Sequence, residues 1–438
     1  MSDRARSVLI DITPLRESAP FRRIFIARLI SLIGIGLLLV SVPVQMFDLT
    51  GSSAQVGAAT AVTGVSTFVG MLLGGGLADR FDRKWLILVG RAGAALAFVG
   101  LAANAFGVFG EPPSVAALYL LAGIDGLIGS LSVAALMAAV PTIIPRHLLV
   151  AVGALNSLTV RVGSAISPAI AGLIIAGAGV EWAYTVAACI ATLTVVILLG
   201  LPSLPPSAPV VGETPTESDN QSASEQPGSQ QPGAKQSVVR FILTQPVVGG
   251  VIAAGMLAML GAGVVALIPG LVAERFDGDA RATGLLYAAV ATGAMVAALT
   301  SGWLARVPRP GALLMAALST AFVIQILFGL APVVWLALVL LAVVGFVEAI
   351  QEVLRYSLIQ HHTPGQLLGR VNGIWMAQEV SGVTVGALVA GMLGSVWSAS
   401  DAIVYYGIGL LVLSLLAALG LRSLMAVRGE PVSESVDS

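Results

Sequence analysis

Seven ionisable residues interrupt otherwise apolar stretches of this chain: Arg28, Asp125, Arg161, Glu348, Glu352, Arg355 and Glu379. A charged group at the centre of a membrane-spanning helix costs about 2.5–3.5 kcal/mol on insertion scales, so each needs a partner or a task. Glu348, Glu352 and Arg355 follow one another at i, i+4 and i+7, which puts them on one face of a helix. Glu352 and Arg355 read as a pair that neutralises itself within a structural ion network. Glu348 has no such local partner, and Asp125 and Glu379 lack a helical neighbour of opposite charge. An unpaired buried carboxyl favours its protonated form, which suits a group that takes up and releases protons near neutral pH. Asp125, Glu348, Glu352 and Glu379 are therefore the candidates for proton coupling. Arg28 and Arg161 can pair with Asp125 or draw in an anionic substrate, and with Arg355 and Gln378 they are the candidates for binding one. Arg91, near the end of its apolar run, can simply snorkel to the membrane interface.

A second constellation is Gly75-x-x-x-Asp79-Arg80-x-x-Arg83-Lys84. Its charges cannot lie in hydrocarbon, and its glycines let backbones approach closely, so it reads as a tight charged turn between two spans. Other chemistries find little footing. The lone Cys189 and the histidines His147, His361 and His362, at expected loops, offer no metal site. The chain has two lysines, Lys84 and Lys235, and neither closes a phosphate-binding Gly-x4-Gly-Lys loop. Net charge is −1, without the basic excess of a nucleic-acid partner. No hydrolytic or redox constellation is visible, and the chain does not read as an enzyme.

The elements that must position these residues are membrane spans. Of the 438 residues, 57 % are hydrophobic and only 10 % charged, against about a quarter charged in a soluble domain. Apolar runs fall near 24–47, 54–78, 85–107, 114–141, 150–177 and 180–201, then near 246–272, 281–305, 311–331, 333–359, 371–396 and 401–424. Each is long enough as a helix to cross a core of about 30 Å, and none alternates as barrel strands do. The first run is too long for a signal-peptide core of about 7–15 residues, so it reads as an uncleaved first span. A Pro-, Ser-, Gln- and Glu-rich stretch, 202–240, reads as a flexible linker between halves 1–201 and 241–438.

The halves repeat each other. Pro43 and Pro269 stand at an offset of 226, and Gly75-x-Leu77-Ala78 recurs at 227 as Gly302-x-Leu304-Ala305. Later the offset is 219: Pro145-x-x-Leu148-Leu149 matches Pro364-x-x-Leu367-Leu368, and Ala171-Gly172 matches Ala390-Gly391. Such duplications build carriers with a midplane site between the halves. Lys and Arg concentrate at the N-terminus, at the turns near 80–84, 146, 235–240 and 306–309, and at the C-tail. With an even number of spans, that bias places both termini in the cytoplasm.

The charged turn in this place, with twelve spans and a central linker, resembles the major facilitator superfamily of secondary transporters from end to end. Several segments are similar to its enterobactin (siderophore) exporter branch, which neighbours macrolide and other drug exporters. They are Ser41-Val42-Pro43-Val44-Gln45, Gly76-Leu77-Ala78-Asp79-Arg80, Thr159-Val160-Arg161-Val162-Gly163-Ser164 with Ser167-Pro168, Leu299-Thr300-Ser301-Gly302, and Leu368-Gly369-Arg370-Val371-Asn372-Gly373 with Ala377-Gln378. Gly163, Pro168 and Gly172 resemble a degenerate antiporter motif, with Ser167 and Ala171 replacing glycines; close helix packing around a proline kink explains the same residues. The resemblance implies an all-α major facilitator fold and a bacterial inner-membrane carrier, a monomer amid lipid, with no cofactor beyond the proton gradient. It implies export of a siderophore by proton antiport and alternating access, with efflux of macrolides or other amphiphilic drugs as the alternative and a non-transporting receptor or scaffold as a remote one. It also implies that Asp79 docks at the positive N-terminus of the eleventh span, near Gly369–Gly373, and latches the inner gate.

Overall fold

The computed structural model describes residues 13–145, 148–205 and 238–429; the turn at Arg146 and His147 and linker residues 206–237 lie outside them. Among the described residues are twelve helices long and apolar enough to cross a membrane. They are α1 (Ala19–Thr50), α2 (Ser53–Ala78), α3 (Arg83–Ala105), α4 (Val115–Val140), α5 (Ala151–Ala178), α6 (Val180–Leu199), α7 (Pro246–Arg275), α8 (Ala280–Leu304), α9 (Pro310–Gly329), α10 (Val334–His362), α11 (Gly365–Val396) and α12 (Ala399–Gly420). No strand occurs among the described residues. This is the major facilitator fold expected of the sequence.

Local chemistry sets the helix ends. Ser18 accepts the Phe21 N–H ahead of α1, and Gly51 closes it in the left-handed region at φ 61°. Asp82, Ser114, Asp279 and Ser398 cap α3, α4, α8 and α12 in the same side-chain manner. Two ends differ from the hydropathy reading. The eleventh helix begins at Gly365 behind Pro364, not near 371, because a polar first turn can stand outside hydrocarbon and still be helical. His361 and His362 likewise belong to the last turn of α10 and not to a loop.

Two helices leave α geometry inside the membrane. In α4, Asp125–Gly129 is a π-helical segment, a geometry that recurs at functional sites. In α7, Gly263–Leu267 is a 3₁₀ turn just before Pro269. Lipid cannot satisfy the carbonyls loosened there, and tyrosine hydroxyls do so instead. Tyr406 donates to Leu260 O at 2.6 Å and Tyr287 to Val265 O at 2.9 Å.

The halves meet through α2 against α11 and α5 against α8. The closest approaches lie at the end of the bundle away from the chain termini, called here the far end. A β-carbon on Gly57 would collide with Ala387 O, and one on Gly284 would stand 2.5 Å from Pro168 O and 2.6 Å from the Gly172 Cα. Only glycine permits such contact. At the near end Gly75, Asp79, Arg80, Gly369 and Gly373 are exposed, and a β-carbon on Gly75, Gly369 or Gly373 would meet nothing within 4 Å. The bundle is thus closed at the far end and open at the near end.

Candidate functional site

Between the halves lies a cavity of about 420 Å³ walled by α1, α2, α4 and α11. Its surface is mostly Ile35, Leu38, Leu39, Val42 and Val383, with Thr60, Thr63, Thr67 and Thr384 as neutral polar groups. Asp125 and Glu379 are the charged side chains on its wall, one from each half. Glu379 is not alone: Trp375, one turn earlier on α11, donates its indole N–H to Oε1 at 2.5 Å. The guanidinium of Arg355 lies 5.2 Å from the centre of that indole ring, and Tyr356 meets its edge at 6.0 Å. A cation, an aromatic pair and an acid are thereby tied together beside the cavity.

Behind Asp125, within the first half, is a second cavity of about 250 Å³. It shares Ile35, Thr63, Thr67 and Asp125 with the first, so Asp125 stands at the junction of the two. Arg91 on α3 lines this inner cavity and is attracted by Asp125. Its place on this cavity wall, where the Asp125 charge attracts it, differs from the interfacial position expected of a snorkelling side chain. Arg28 lines neither cavity but sits near enough to Arg91 for their charges to repel.

The expected Glu352–Arg355 pair does not form. Glu352 instead reaches across to Arg161 on α5, at 3.8 Å, with side chains 53 % and 27 % exposed. Arg355 is buried and turned to Trp375, and beside it Gln378 donates to Ile252 O at 2.9 Å. Three-residue spacing fixes a face but not a partner, and the Arg161 guanidinium of the other half is the one Glu352 meets. Glu348 does not face the inter-half cavity. It lines a pocket of about 10 Å³ inside the second half with Gln325 and Gln351.

In the charged turn, Asp79 caps the end of α2 and is exposed, without the expected docking on the first turn of α11. Its neighbours hold the start of the linker. Asp82 accepts the Ser203 hydroxyl, the Leu204 N–H at 2.9 Å and the Lys84 N–H at 2.8 Å, while the N–H of the buried Arg83 donates to Leu204 O at 3.0 Å. Slight burial pushes the Asp82 carboxyl up, but these bonds and the Lys84 charge outweigh it and hold the acid below its usual range. On α5, Gly163 and Ser167 pack on α1 at Leu32 and Gly36, while Pro168 O and Gly172 meet α8. These residues therefore pack helices both within a half and between halves.

Arg91, Trp375, Tyr356, Gln325 and Gln351 are the site residues that a search for unpaired charges passes over. A signal existed for two groups. Trp375 and Glu379 stand at i and i+4, and two amides in hydrocarbon need partners as charges do.

The sequence profile of transmembrane secretion effectors matches residues 10–431. The chain is 40 % identical over 426 residues to the enterobactin exporter EntS of Escherichia coli O1:K1, covering 97 % of each chain. The match to the enterobactin exporter EntS of Citrobacter koseri is of the same identity and extent. Among solved structures, the nucleoside transporter NupG superposes with a TM-score of 0.67 at 12 % identity, covering 93 % of this chain and 100 % of that one. A bacterial homologue of the iron transporter ferroportin, in its inward-facing state, gives 0.67 at 14 %, covering 93 % and 99 %.

Proposed function

The chain belongs to the transmembrane secretion effector family, and from that premise we propose that it exports a siderophore across the bacterial inner membrane, driven by protons. Its family and relatives are transporters and not enzymes. The near end, with the termini and most of the Lys and Arg, is taken as cytoplasmic, so the open cavity faces the side where a siderophore is made. The observation that carries the reading is the inter-half cavity with Asp125 on one wall and Glu379 on the other. Rocking the halves so that the Gly57–Ala387 and Gly172–Gly284 contacts part would expose that cavity to the opposite side. Asp79 docking on the first turn of α11 would then close the near end. Proton binding at Asp125, in competition with Arg91 or with substrate, couples the gradient to the cycle, and no organic cofactor is needed.

Arg161 and Arg28 are the cations this reading offers a catecholate or carboxylate siderophore, although neither lines the cavity. One observation favours the second reading, efflux of amphiphilic drugs. The cavity is apolar with two acids and no cation among its lining residues, which suits a lipophilic amine. A deletion strain separates the two. Under iron limitation it should secrete less siderophore with unchanged sensitivity to amphiphilic amines; the opposite pattern would assign the cavity to drug efflux.

A further inference from the structure

The pocket around Glu348 occupies the place in the second half that the Arg91–Asp125 cavity occupies in the first. The 227-residue repeat offset carries Arg91, Ala94 and Phe98 of α3 onto Leu318, Ala321 and Gln325 of α9, and all six line the respective pockets. The 219 offset carries Asp125 and Gly129 of α4 onto Val344 and Glu348 of α10. Packing agrees with this register: Gly126 sits against Thr63 O, and its repeat Gly345 against Val290 O, the repeat of Thr63. The acid has moved one turn along the helix, and the arginine has become leucine.

What replaces the cation is a pair of amides. Gln325 and Gln351 are 4 % and 1 % exposed, and Gln325 Nε2 and Gln351 Oε1 have no hydrogen-bond partner within the protein. Gln351 Nε2 donates to Ala317 O at 3.4 Å, which directs the orphan Oε1. The remaining lining residues from α7 and α9, Ala258, Gly261, Leu318, Ala321 and Phe322, carry no titratable group. On α10 itself Arg355, which lies over Trp375, attracts Glu348, and Glu352, which meets Arg161, repels it, so the two charges oppose each other there; α8 carries Arg281 only at its far-end start. The pocket volume of about 10 Å³ is the smallest that admits one water, which needs two to four polar partners.

We infer that Glu348, Gln325 and Gln351 enclose one water and hold Glu348 as a neutral carboxylic acid, a closed proton site in the second half. The acid O–H donates to the water, the water donates to Gln351 Oε1, and Gln325 Nε2–H donates to the water. Every orphan atom is then satisfied without a net charge in the pocket. Gln325 and Gln351 act as positioning residues for the proton.

Infrared difference spectroscopy of the reconstituted full chain tests this, whether or not the chain carries a siderophore. At neutral pH a protonated-carboxyl C=O band should vanish in Glu348→Gln and move in Glu348→Asp. It should shift in Gln325→Leu, where the water that accepts the acid O–H loses its other donor, and return toward its place in Gln325→Asn. Should Glu348→Gln fail to fold, the Glu348→Asp shift makes the assignment. Absence of any carboxyl band that responds to position 348 would show an ionised acid, and a band indifferent to Gln325→Leu would show that the amide does not serve it; either result overturns the inference.

Discussion

The two halves solve the same problem differently at equivalent places. The first places Asp125 in a cavity of about 250 Å³ that joins the inter-half space and gives it Arg91 as counter-charge. The second places Glu348 in a closed pocket of about 10 Å³ and gives it amides. An acid facing a cation and open space can exchange protons and partners during a transport cycle. An acid in a closed pocket whose other lining residues are neutral, with Arg355 outside that lining, cannot do so until its helices part. The repeat places one fold twice, and Arg91/Leu318 and Phe98/Gln325 are the positions at which an acid site joined to the inter-half cavity differs from a closed one.

The sharpest way to break this comparison is Arg91→Leu, which gives the first half the residue of the second. Asp125 would lose the cation that attracts it across the inner cavity, a loss bounded above by the cost of about 3–5 kcal/mol for a fully buried pair. Thermal unfolding should show a large drop that the double variant Arg91→Leu with Asp125→Asn largely restores. A single variant as stable as the parent would mean that the two residues do not act together. A smaller effect is expected at the far-end seam. Gly284→Val forces a side chain onto Pro168 O, and overpacking of this kind costs about 1–3 kcal/mol. Cysteine pairs across the far end should crosslink more slowly in that variant, with unchanged crosslinking contradicting the closed arrangement there. The smallest effect belongs to Arg161→Gln. The Arg161–Glu352 contact at 3.8 Å is partly exposed, so its loss should change stability by no more than about 1 kcal/mol, read from the same unfolding curves.

Hydropathy alone made the twelve spans legible, because the cost of unsatisfied backbone in lipid leaves helices as the form for such runs. The start of α11 was not legible, since its first turn, Gly365 to Leu368, ends on Gly369-Arg370 and reads as a polar loop. Much of the candidate site was visible as charges in hydrocarbon. Their partners were not, because partners sit on other helices: Arg161 reaches Glu352 from the opposite half, and Arg91 meets Asp125 from α3. Helical spacing places a side chain on a face, and only packing says what stands opposite. The π-helical segment at Asp125 had no sequence signal beyond Gly123, Gly126 and Gly129, and the orphan amides of Gln325 and Gln351 needed the pocket itself to be seen.

The central claim is that protons drive export through the cavity in which Asp125 faces Glu379. Uptake of enterobactin into inverted membrane vesicles with an imposed pH gradient tests it most directly. Uptake should collapse on addition of a protonophore and fall at least tenfold in Asp125→Asn, while that variant still exchanges internal for external substrate. Uptake that persists undiminished with the protonophore present would contradict the claim.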